Sequence, residues 1–151
     1  MKCIQVGLVG FGFAGRIFQA SSIQAIEGLE LAAIVQRNGS EAAAAFPRVK
    51  IVRSVEELLQ NPEIRLIVVA TPNASHLPIA QQCLLADRDV VIDKPFALSS
   101  AEAAELIELA RSHRRLLSVF QNRRWDWRLS HSAEIAGERP TRTPGDVRIP
   151  L

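Results

Sequence analysis

The sequence predicts an α/β fold, a doubly wound parallel sheet with helices on both faces. Three observations point to it. Short runs apolar on both sides recur at regular intervals, capped helical segments lie between them, and the first run ends in a glycine cluster. The runs are Cys3–Val9, Leu29–Val35, a short Val49–Val52, Leu66–Ala70, Val90–Ile92 and Leu116–Phe120. Strands open to water on one side would alternate apolar with polar residues, and these do not, so both sheet faces are expected to be covered.

The start, MKCIQVGLVGFG, has one Lys and an apolar run that leads into glycines without a small-residue cleavage site, so it reads as a buried strand and not as a signal peptide. Gly10, Phe11, Gly12, Phe13, Ala14 and Gly15 then spell G-x-G-x-x-G at the junction of strand and helix, the context this motif needs. Gly10 permits the tight turn, Gly12 lets backbone approach a pyrophosphate, and Gly15 lets the helix pack closely on the strand. The helix N-terminus adds free N–H groups and a positive dipole end. This is the fingerprint of a Rossmann dinucleotide-binding fold.

Such folds usually place an Asp or Glu at the end of the second strand to bind a ribose 2′-hydroxyl. Here Gln36, Arg37, Asn38, Gly39 and Ser40 follow that strand, and no carboxylate lies between Leu31 and Ser40. Arg37 stands where a guanidinium could pair with a 2′-phosphate, so NADP is expected over NAD, with NAD still open; the bland reading of Arg37 is a solvated loop charge. After the third run, Ser54 and Glu57 form a capping box before Leu58 and Leu59. After the fourth, Pro72, Asn73 and Ser75 lead into a helix over Leu77–Ala86. After the fifth, Ser99 and Glu102 cap a helix on which Ala103, Leu106, Ile107 and Ala110 repeat at helical spacing, ending at Arg111, His113 and Arg114.

Composition narrows the setting. The 151 residues are 48% apolar and 23% charged, enough for one packed core and unlike a disordered, collagenous or coiled-coil chain. With 18 basic against 16 acidic side chains, the net charge of +2 gives no reason to expect a nucleic-acid partner, and Trp125 and Trp127 read more simply as buried anchors than as base-stacking platforms. No apolar stretch reaches the roughly 18 residues of a membrane span, so no membrane partner is expected. Two cysteines, Cys3 and Cys83, in apolar surroundings suit a reducing cytoplasm, and nothing suggests a metal site.

Three further stretches follow strands, where ligands bind in open α/β sheets. They are Ala70–His76 (ATPNASH), Val91–Phe96 (VIDKPF) and Phe120–Asp126 (FQNRRWD). Together with the glycine loop they resemble the Gfo/Idh/MocA oxidoreductases, with their TPxxxH loop, [ED]-K-P motif and N-R-R-[WF]-D segment, over residues 1–126. The wording is most similar to NADP-using inositol and sugar dehydrogenases. The resemblance implies a nicotinamide dinucleotide cofactor and a sugar or polyol substrate. It implies that Thr71, Pro72, Asn73 and His76 line the cofactor cleft, that Asp93, Lys94 and Pro95 stand beside the nicotinamide, and that Asn122 and Arg124 border the same pocket. Lys94 is the implied catalytic group. As hydride leaves an alcohol a proton must leave too, and a lysine near the oxygen lowers that cost by charge and hydrogen bonding. The plainer readings are a surface lysine at Lys94 and, with equal weight, a His76 that only caps or packs its helix.

The resemblance also implies a second α/β domain that supplies the substrate pocket, an Asp/His pair and commonly the subunit interface. It has no room in 151 residues. The expectation is therefore a dinucleotide-binding domain over 1–126, the second domain absent, catalysis incomplete, and substrate identity and oligomeric state not readable. Trp127–Leu151 carries Pro140, Pro144 and Pro150 with no periodicity. One choice of codons for Trp127–Ala133, read from the second base, translates as GDFLTV, a continuation in the style of the family, so 127–151 is expected to be an irregular, out-of-frame tail. The competing functional expectation is a non-catalytic nucleotide-binding sensor or interaction module.

Overall fold

The structure, a computed structural model, describes residues 3–122. The chain divides into two compact units, Met1–Phe120 and Gln121–Leu151, and every helix and strand below belongs to the first. The expected tail and Arg124 lie outside the described residues.

Among the described residues six strands form: β1 (Ile4–Val9), β2 (Leu29–Val35), β3 (Lys50–Val52), β4 (Ile64–Val69), β5 (Asp89–Asp93) and β6 (Leu117–Phe120). They make one sheet in the order β3-β2-β1-β4-β5-β6, and every neighbouring pair is parallel. The chain therefore builds outward from β1 in one direction, returns, and builds outward from β4 in the other. That reversal opens a crevice beyond the carboxyl ends of β1 and β4.

The helices follow from the segments between. α1 starts as a π-helical turn, Gly15–Gln19, and continues as the α-helix Ala20–Ala25; α2 is Glu41–Ala45, α3 Val55–Leu59, α4 His76–Leu85 after a 3-10 turn at Asn73–Ser75, and α5 Ser100–Ser112. Both capping boxes form: Ser54 accepts from Glu57 N at 3.1 Å and Ser99 from Glu102 N at 3.2 Å.

Alternate residues of each central strand feed two cores. Val6 and Leu8 pack with Ala20 and Ile23 of α1 and Ala42 of α2, whereas Val9, Ile67 and Val69 pack with Leu58 of α3, Cys83 and Leu84 of α4 and Leu106 of α5. Burying one such side chain contributes about 1.5–3 kcal/mol, which is why the strands read as continuous apolar runs. Burial pushes the Cys83 thiol up to about 12. Among the described residues, no helix is long and apolar enough to cross a membrane.

Candidate functional site

A cleft of about 820 Å³ lies at the carboxyl ends of β1 to β4, within the size range of small-ligand pockets. Its floor is the glycine loop. Gly10 N donates to Val35 O at 3.1 Å and Ala70 N to Val9 O at 2.8 Å, so the loop leaves the sheet tied to both neighbouring strands. Gly10 has φ +99°, and a Cβ there would stand 2.6 Å from Ala70 O. A Cβ on Gly15 would approach Gly10 O to 2.1 Å, so this glycine permits the close contact of helix and turn. Gly12 differs: a Cβ there would meet nothing within 4 Å. The chain leaves open space over backbone at the start of α1, where the first N–H groups of a helix have no intrahelical partner. That is the cradle a pyrophosphate needs, and these residues fit a dinucleotide.

Phe11 packs edge-on against Phe46, with ring centroids 5.8 Å apart, and Phe13 meets Phe18 in the same manner at 5.9 Å. Phe13 remains 75% exposed, an apolar surface on the lip of the cleft.

The loop after β2 forms one wall. The Gln36 side chain holds the start of α2, accepting from Ala42 N at 2.9 Å and donating to the Glu41 carboxylate. The Glu41 carboxyl is held below its ordinary range by its own backbone N–H and by the Gln36 amide. Arg37 lines the cleft and makes no hydrogen bond or ion pair with any described residue. Arg53, just beyond β3, donates from Nη1 to Gln36 O and Gly39 O, both at 2.9 Å. On the far side Gln82 of α4 donates to Glu56 of α3 at 2.8 Å, and that amide is the first cause holding the Glu56 carboxyl below its usual range.

Thr71 and Pro72 line the cleft beside the glycine loop. The Ser75 hydroxyl braces them, donating to Pro72 O at 2.6 Å and sharing a 2.9 Å hydrogen bond with Thr71 Oγ1. His76 stands behind them, 1% exposed, with Nδ1 3.0 Å from Pro95 O and Nε2 2.9 Å from Thr71 O. It ties the loop after β4 to the loop after β5 and does not line the cleft. Asp93, Lys94 and Pro95 follow β5; Asp93 Oδ1 accepts from Lys94 N at 2.9 Å, the Lys94–Pro95 peptide is cis, and Lys94 is exposed.

The structure thus brings Gly10, Phe11, Gly12, Phe13, Ala14, Arg37, Thr71 and Pro72 into one cleft. Gly15 supports it from beneath. Asn73, His76, Asp93, Lys94 and Pro95 lie outside its lining, and Asn122 is exposed at the end of the described residues. Arg53, Ser54, Ser75 and Gln82 line the cleft without having been singled out as binding residues from sequence. The available signal for Arg53 and Ser54 was their position at the carboxyl end of a strand. Among the described residues, no group of three or more His, Cys, Asp or Glu side chains could hold a metal ion.

Comparison with known proteins agrees with this geometry. Residues 4–121 match the Gfo/Idh/MocA oxidoreductase family, described as having an NAD-binding Rossmann fold. The uncharacterized oxidoreductase YdgJ of Escherichia coli (strain K12) is 45% identical over 123 residues, covering 82% of this chain and 36% of YdgJ. IolW of Bacillus subtilis (strain 168), a scyllo-inositol 2-dehydrogenase (NADP(+)), is 32% identical over 123 residues, covering 82% of this chain and 34% of IolW. The crystal structure of GenD2 from gentamicin A biosynthesis in complex with NAD superposes with a TM-score of 0.83 at 30% identity, over 92% of this chain and 40% of GenD2. The chain therefore spans between 34% and 40% of the length of these relatives.

Proposed function

The chain belongs to the Gfo/Idh/MocA oxidoreductase family, and from that premise we propose that it is the dinucleotide-binding domain of an enzyme moving hydride between a nicotinamide cofactor and a sugar or polyol hydroxyl. The observation that carries the reading is the open space over Gly12, enclosed by the strand-turn-helix junction and free of side chains. Bound there, a nicotinamide dinucleotide supplies the hydride acceptor or donor. The chain's own part is to grip the pyrophosphate with backbone N–H groups, to seat the adenosine ribose against the loop after β2, and to hold the nicotinamide end beside Thr71 and Pro72.

Arg37, without a partner among the described residues, supports NADP over NAD, and IolW is named as an NADP(+) dehydrogenase, whereas GenD2 holds NAD. Lys94 is the proposed catalytic group: its ammonium would stabilise the negative charge that develops on the substrate oxygen as the hydroxyl proton leaves. Asn73, His76, Asp93 and Pro95 shape that end of the site. The proposed division is a dinucleotide domain over 1–126 and an out-of-frame tail over 127–151, with the substrate pocket in the remainder of the full-length enzyme. The free thiols at Cys3 and Cys83 support a reducing, cytoplasmic setting.

Fluorescence titration of the 151-residue chain with NADPH tests the reading. Gly12→Ala adds a methyl group where no protein atom lies within 4 Å. The thermal midpoint should move by less than about 2 °C while affinity falls about tenfold or more. Binding unchanged by that methyl group would sink the assignment of the loop.

A further inference from the structure

We infer that Arg53 is a specificity-determining residue, joining Arg37 in a two-guanidinium seat for the 2′-phosphate of the cofactor. The inference rests on the dinucleotide reading and deepens it.

The sheet order puts β3 beside β2, with Val52 paired to Val35. Gln36 and Arg53 therefore leave the sheet together, and Gln36 N donates to Val52 O at 3.0 Å. The two N–H groups of Arg53 Nη1 are spent on the carbonyls of Gln36 and Gly39, the residues that bracket Arg37 and Asn38. A guanidinium has five N–H donors. The other three, on Nε and Nη2, make no hydrogen bond with any described residue, and the side chain lines the cleft. Arg53 is thus an anchored cation and Arg37 an unanchored one on the same short wall.

The neighbouring carboxylates are already engaged. Glu41 is bonded to the Gln36 amide, Glu56 to Gln82, and Glu57 accepts from Arg53 N at 2.9 Å as part of the α3 cap. A ribose 2′-phosphate offers three acceptor oxygens and roughly two negative charges, which suits two planar guanidiniums. A ribose hydroxyl offers no charge, so the unphosphorylated cofactor gains no ion pair from either guanidinium. Discrimination then comes from charge, with the anchored arm setting the position and the free arm closing on the ligand.

The test is titration of the 151-residue chain and its Arg53→Ala, Arg53→Lys and Arg37→Ala variants with NADPH and with NADH. Arg53→Ala should weaken NADPH about tenfold while NADH changes less than about twofold, with Arg53→Lys between wild type and Arg53→Ala. The salt dependence of NADPH affinity should also become shallower. An equal loss for both dinucleotides would make Arg53 only a staple for the loop, and no loss for either would remove any role; each overturns the inference. If Arg53→Ala gives no cooperative melting transition, Arg53→Lys decides by the same comparison. A wild-type chain that binds NADH but shows no preference for NADPH defeats the inference alone; one that binds neither defeats the dinucleotide reading with it.

Discussion

His76 faces a backbone carbonyl from each ring nitrogen, Pro95 O on one side and Thr71 O on the other. A neutral imidazole has a single N–H and so donates to one of the two, its tautomer deciding which. Replacing it by alanine removes that hydrogen bond, strands a carbonyl and leaves a cavity at a position 1% exposed. His76→Ala should therefore cost about 3 kcal/mol, read from the midpoint of urea unfolding; a loss under about 1 kcal/mol would show that the tie does not hold the two loops. From sequence, this histidine was equally a cleft residue or a packing one, since motif spacing does not report which way a ring turns. Arg53 was illegible for another reason. Its partners Gln36 and Gly39 become neighbours only once β3 pairs with β2. The glycine loop, by contrast, was readable residue by residue, because each glycine there answers a local steric demand.

Elements were legible where apolarity or a cap marked them. β2 forms over the residues its apolar run predicts, and α5 starts where Ser99 predicts. Two hydrogen bonds hold that cap: Ser99 accepts from Glu102 N, and Glu102 accepts from N of Leu98, the residue before the cap, at 2.9 Å. Ser99→Ala should lower stability by about 1 kcal/mol in a thermal or urea melt, with no change in dinucleotide affinity; an unchanged melt would mean that packing alone holds the helix start. β5 reaches beyond its apolar run to Asp89 and Asp93 because pairing with β4 and β6 recruits polar residues at its ends, which hydrophobicity cannot reveal. α2 was not anticipated. Glu41–Ala45 has no apolar period, and its start is held by the amide of Gln36 outside it. Of the residues that repeat at helical spacing on α5, Leu106 and Ala110 are buried, whereas Ile107 is 41% exposed.

At the scale of the molecule, the doubly wound sheet was the most legible feature, since two-sided apolar strands alternating with helices admit few other arrangements. The proposed out-of-frame tail makes a definite prediction about the gene. Sequencing the coding DNA through the Asp126 and Trp127 codons should show an alternate frame that stays open into a second α/β domain; early closure of that frame would refute the proposal. The sheet order has one more consequence, for the history of the chain. β1 is made first yet sits at the centre, between β2 and β4. During synthesis it gains one neighbour when Leu29–Val35 emerges, but its other edge stays bare until Ile64–Val69 follows. Such sequence-distant pairing is slow to form and prone to aggregation while incomplete. The strand that carries the glycine loop thus waits half-paired from the emergence of β2 until that of β4, so the nascent chain is exposed at the place where the finished one binds.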